Sequence, residues 1–185
     1  MALTDSHMLE LGTEAPYFKL LNTVDDLEYS LNELKGTSAT LVMFICNHCP
    51  YVIHVNDEMV RIANDYKSSG LNCVAISAND IVHYPQDAPD KMKICAKELN
   101  YPFPYLFDET QEVARSYDAA CTPDFYLFDA SLSLVYRGRL DASRPANNIP
   151  LTGKDLREAI QHVLDGQEII EPQFPSAGCN IKWKK

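Results

Sequence analysis

Positive charge is scarce in this chain. Its 185 residues hold 16 Lys and Arg against 26 Asp and Glu, a formal net charge of −10. Binding to phosphate backbones needs concentrated positive charge, so a nucleic-acid partner is excluded as an expectation. No apolar stretch is long enough to span a bilayer, which argues against a membrane protein. The first twelve residues lack a basic region followed by an apolar core, so they do not read as a signal peptide. Internal repeats, low-complexity tracts and linkers are missing too. The expectation is one domain over residues 1–185, with an irregular tail over 167–185, placed in the cytoplasm. In a reducing compartment the six cysteines should be thiols.

Two of those cysteines stand in a telling place. Cys46, Asn47, His48, Cys49 and Pro50 follow the apolar run Leu41 to Ile45. C-x-x-C spacing by itself carries little. Here, however, a strand-like run precedes it and Pro50 can open a helix, where no N–H is needed. Helical periodicity then runs through Val52, Val55, Met59, Ile62, Ala63 and Tyr66. Gly70 is a fitting stop, and Cys73 to Ile76 read as the next strand. The result is a β–(C-x-x-C)–α–β unit. A cysteine at a helix N-terminus is set to ionise, because the helix dipole favours negative charge there.

The remaining pattern extends this unit. Ala39 to Ile45 is almost wholly apolar, as a central strand should be. A helix is expected over Ala88 to Leu99 with Asp87 as its cap, and a short strand over Tyr105 to Phe107. Asp108 and Gln111 suggest a capped helix over Glu109 to Tyr117. Asp124 to Phe128 and Leu132 to Arg137 read as paired strands, and Thr152 to Asp165 as a late helix. Strands alternating with helices, closed by a hairpin and a helix, argue an α/β fold: a central mixed sheet with helices on both faces.

At this point the residues resemble a known family. Cys46-x-x-Cys49 after a central strand, and Thr122-Pro123 before the strand Asp124 to Phe128, resemble the thioredoxin fold. The opening Leu11 to Leu20 and the long segment Asn79 to Leu106 resemble the redoxin branch, with its N-terminal extension and insertion. That branch includes peroxiredoxins and alkyl hydroperoxide reductases. CNHCPYV at 46–52, CTPDFYLFD at 121–129, YRGRLDASRP at 136–145 and SAGCNIKWK at 176–184 are similar to peroxiredoxin-like bacterial proteins with a thioredoxin domain.

The resemblance implies a thiol–disulfide oxidoreductase, with an antioxidant role as a further expectation. Cys46 would be the nucleophile, ionised and reachable at the lip of the site, and Cys49 the buried resolving thiol. His48 would tune the thiolate. A cis Pro123 would leave the main chain of Thr122 able to pair with a substrate strand. Cys121 is a candidate third thiol or ligand, although a small buried residue is the simpler reading. Arg139, in a charged loop with Asp141 and Arg144, is a candidate thiolate stabiliser. Cys179 is expected to lie in a tail packed onto the domain. No cofactor and no resident metal are implied. The partner would be a protein or small-molecule disulfide or dithiol, with peroxide as an alternative.

Two rival readings remain open. The first is a peroxiredoxin-like thiol peroxidase. Against it, Val42 and Met43 stand where the peroxiredoxin motif would place Pro or Thr. The second, of a different class, is a carrier of Cu(I) or Zn(II) built on Cys46, His48, Cys49 and Cys121.

Overall fold

A computed structural model describes residues 3–168 and 172–185. Its strands are β1 (Leu3–Asp5), β2 (Lys19–Asn22), β3 (Glu28–Ser30), β4 (Ala39–Phe44), β5 (Leu71–Ser77), β6 (Tyr105–Phe107), β7 (Cys121–Thr122), β8 (Asp124–Asp129), β9 (Leu134–Gly138) and β10 (Ala177–Asn180). The helices are α1 (Leu31–Leu34), α2 (Pro50–Tyr66), α3 (Pro89–Glu98), α4 (Glu112–Ser116) and α5 (Lys154–Leu164).

Seven strands form the main sheet in the order β3-β2-β6-β5-β4-β8-β9. The β4–β5 and β5–β6 pairs are parallel, and β4–β8 and β8–β9 are antiparallel. The sheet is therefore mixed, as expected. β4 lies near its centre with all six residues buried. Alternation divides its side chains. Leu41 and Met43 pack with α2, α3 and α5 on one face. Val42 and Phe44 pack on the other with Leu31 of α1, Ala114 of α4 and Tyr117. Helices thus cover both faces.

Local signals explain most boundaries. Ser30 and Glu33 form a capping box at α1: Glu33 Oε2 accepts from both the Ser30 N–H, at 2.8 Å, and the Ser30 hydroxyl, at 2.6 Å. Pro50 opens α2 with Cys49 as its cap residue. Two expectations are corrected. The helix read from Glu109 begins only at Glu112, because Asp108 reaches past a turn to accept from the Ala114 N–H at 2.8 Å. Asp87 does not cap α3: Ala88 stands at the cap, and the Asp87 carboxylate turns to the C-x-x-C loop.

The tail is also more ordered than its composition suggests. β10 pairs with both β1 and β7 in a second, three-stranded sheet. The part of the tail over 169–171 lies outside the described residues. Among the described residues, no helix is long and apolar enough to cross a membrane.

Candidate active site

β4 delivers the chain to Cys46 and α2 starts just after Cys49, so both sulfurs lie where strand passes into helix. The Thr122–Pro123 peptide is cis and faces them. Cys46 Sγ lies 3.5 Å from the Thr122 hydroxyl oxygen, and Cys49 Sγ lies 3.2 Å from the Thr122 carbonyl oxygen. All six cysteines are thiols.

Neither sulfur sits at an open lip. Cys46 is 1% exposed and Cys49 is fully buried, so the expected solvent access of Cys46 is corrected. The pocket beside Pro123, bounded by Tyr51, Val55, Phe125, Arg144 and Ala177, holds about 10 Å³. That is roughly the space of one water.

The C-terminal strand accounts for much of this closure. Cys179 pairs with Thr122 in antiparallel register, and the Ser176 hydroxyl donates to the Pro123 carbonyl at 2.6 Å. A Cβ on Gly178 would stand 2.0 Å from the Thr122 oxygen, which shows how tightly β10 approaches. The main chain of Thr122, expected to await a substrate strand, is thus already paired by the chain's own tail.

The two thiols behave as a coupled pair. Cys49 is drawn below its ordinary pKa, first by the hydrogen bond from Cys46, with a further one from Cys179, against the effect of burial. Cys46 is pushed up, first by its bond to Cys49, then by burial and by the negative charge of Asp87.

Around Cys46 lies a polar arrangement that local sequence rules did not reveal. Asp87 is fully buried. Its Oδ1 accepts from the Asn47 N–H at 2.8 Å, and its Oδ2 accepts from Asn79 Nδ2 at 2.8 Å. His48 Nδ1 lies 2.6 Å from the same Oδ2. A carboxylate oxygen accepts, so Nδ1 carries the proton and the neutral ring has its lone pair at Nε2. Tyr84 stacks on the imidazole at 5.6 Å between ring centroids. His48 Nε2 is shielded from solvent and has no hydrogen-bond partner among the described residues. Cys46, His48 and Asp87 each offer a ligand atom within 4.8 Å of the others, and these three could hold a metal ion.

Other candidates lie elsewhere. The Cys121 thiol is fully buried and turns to the Pro123 carbonyl at 3.7 Å, outside that three-residue group. Arg139 pairs with Asp155 of α5 at 2.5 Å and stacks over Phe174 at 4.4 Å. The residue of the charged loop that borders the Pro123 pocket is Arg144, not Arg139.

This architecture has known counterparts. The AhpC/TSA family matches residues 11–137. The chain belongs to that family. Among solved structures, this AhpC/TSA member is similar to an uncharacterized conserved protein from Geobacillus kaustophilus, with 55% identity and a TM-score of 0.98 over 100% of this chain and 97% of that one. It is also similar to a hypothetical protein from Sinorhizobium meliloti 1021, with 42% identity and a TM-score of 0.95 over 98% of each chain. The thioredoxin domain of a thiol-disulfide oxidoreductase from Bacteroides vulgatus shares 19% identity, with a TM-score of 0.66 over 84% of this chain and 99% of that one. That last likeness speaks for the fold, which is thioredoxin-like. No curated protein matches the chain. The AhpC/TSA chain is thus a redoxin with a thioredoxin-like fold.

Proposed function

We propose that this redoxin is a thiol–disulfide oxidoreductase working through Cys46 and Cys49. The observation that carries the reading is the pair of thiols that both lie against Thr122 of the cis Thr122–Pro123 peptide at the start of α2. Cys46 lies on the loop side of the pair, beside the partly exposed Asn47 and His48. Cys49 is backed by Thr122 and Cys179. A partner disulfide therefore meets Cys46 first.

As Cys46 attacks, its thiol proton goes to the partner sulfur that leaves. A mixed disulfide forms between Cys46 and one partner sulfur, and the other leaves. Cys49 then attacks Cys46 Sγ, its proton going to the departing partner sulfur, and the Cys46–Cys49 disulfide results. Reversal of these steps oxidises a dithiol partner.

Trapping tests the roles. Cys49→Ser should hold partners or glutathione on Cys46, and Cys46→Ser should not. Trapping by Cys46→Ser alone would reverse the assignment.

A metal-binding role is the second reading, favoured by the clustering of Cys46, His48 and Asp87. Thiolate and imidazole suit Zn(II). Protein purified without chelators should then carry about one equivalent of metal, lost in Cys46→Ser. Metal-free protein would remove this reading.

A further inference from the structure

Cys179 stands outside the two-cysteine scheme, yet it touches it. β10 brings Cys179 to the residue that Cys49 contacts: Cys49 Sγ lies 3.2 Å from the Thr122 carbonyl oxygen, Thr122 pairs with Cys179, and Cys179 and Cys49 interact electrostatically. Cys46, Cys49 and Cys179 belong to one buried cluster. β10 presents Cys179 in register with Thr122, whose carbonyl oxygen also receives the Cys49 thiol. The tail thus occupies the edge at which a substrate backbone would add a strand, and it brings a thiol of its own to that position. Gly178 permits the approach, since any side chain there would strike the Thr122 carbonyl.

We propose that Cys179 is a third redox thiol that takes the disulfide over from Cys46, giving a Cys49–Cys179 bond. This rests on the dithiol reading above. The step begins from the Cys46–Cys49 disulfide. Cys179 Sγ attacks Cys49 Sγ, the Cys49–Cys179 bond forms, the Cys46–Cys49 bond breaks, and the Cys179 proton goes to the departing Cys46 sulfur. No further oxidant is consumed, because the two electrons were already taken by the substrate disulfide. Two consequences follow. Cys46 is restored as a thiol while the protein stays oxidised, and the C-terminal strand is tied covalently to the start of α2. Burial raises the Cys179 pKa and the positive charge of Lys182 opposes that rise, so the transfer should quicken as pH increases.

The test uses the full chain, reduced and then treated with one equivalent of glutathione disulfide. The sample is quenched in acid, alkylated in denaturant, cut with pepsin and mapped by mass spectrometry. Wild type should yield a Cys49–Cys179 cross-linked peptide with Cys46 alkylated. Cys179→Ser should yield the Cys46–Cys49 disulfide, with Cys46 alkylation at least tenfold lower. Cys46→Ser should form Cys49–Cys179 at least tenfold more slowly, because oxidation enters at Cys46. Cys179→Ala serves if the serine variant misfolds, and the wild-type arm needs no variant. If wild type and Cys179→Ser both carry Cys46–Cys49 alone, the relay is overturned while the dithiol reading stands. If no variant forms Cys46–Cys49, the dithiol reading itself falls.

Discussion

His48 Nδ1 and Asp87 Oδ2 meet at 2.6 Å although 39 residues separate them in the chain. This contact changes what His48 can do beside Cys46. An imidazole whose Nδ1 proton is committed to a buried carboxylate is not free to donate that proton to Cys46.

Opposite shifts should follow from removing each partner. Asp87 holds the Cys46 pKa up by its charge. Asp87→Asn should lower the pH midpoint for Cys46 alkylation by roughly one to two units, given Coulomb energies of a few kcal/mol at such separations. His48→Phe removes one of the three hydrogen-bond partners of the carboxylate and should raise the midpoint. Iodoacetamide rates against pH in a Cys49→Ser background, mapped to the Cys46 peptide, measure both. Shifts of the same sign would refute this account.

Gly178→Ala should destabilise the protein by about 1–3 kcal/mol through overpacking against the Thr122 carbonyl. It should also speed alkylation of Cys46, because β10 can no longer lie flush on β7. Urea unfolding and the alkylation rate check the two halves. Unchanged stability would mean that β10 does not press on Thr122.

Asp124 supplies a pH dependence of stability. It is fully buried, and burial raises its pKa well above the usual carboxyl range, with the Tyr126 hydroxyl bond opposing. The folded state then holds a proton that the unfolded state releases. Stability falls as pH rises from the unfolded value, about 4, towards the folded one. Asp124→Asn should therefore gain on wild type at pH 8 and show no such gain near pH 4. Denaturation midpoints at the two pH values decide it. An equal difference at both would place no titration at this site.

Peroxide should react slowly with Cys46. Cys46 is nearly sealed from solvent, which disfavours the thiolate and keeps peroxide away. Stopped-flow measurement at pH 7 should give a rate constant no higher than that of free cysteine. A rate several orders of magnitude faster would restore the thiol peroxidase reading.

Much of the fold was legible because its signals are local. The apolar run of β4, Pro50 at the start of α2 and the period of α2 each lie within one element. Asp87 was misread for the same reason. Its neighbours in sequence resemble a helix start, whereas its carboxylate is claimed by Asn47, His48 and Asn79. The strand at Ala177–Asn180 was missed because a short Gly-containing tail has no strand signature. Its regularity comes from lying between β1 and β7.

By itself the sequence determined the kind of chemistry: two cysteines one turn apart, a strand before them, and a proline ahead of β8. These depend on spacing and period, which survive without any long-range contact. Tertiary structure alone decided which groups surround the sulfurs. It set Asp87 against His48, closed the edge at Thr122 with the chain's own tail, and placed Cys179 against Cys49, because charge, burial and strand pairing act between residues that only folding brings together.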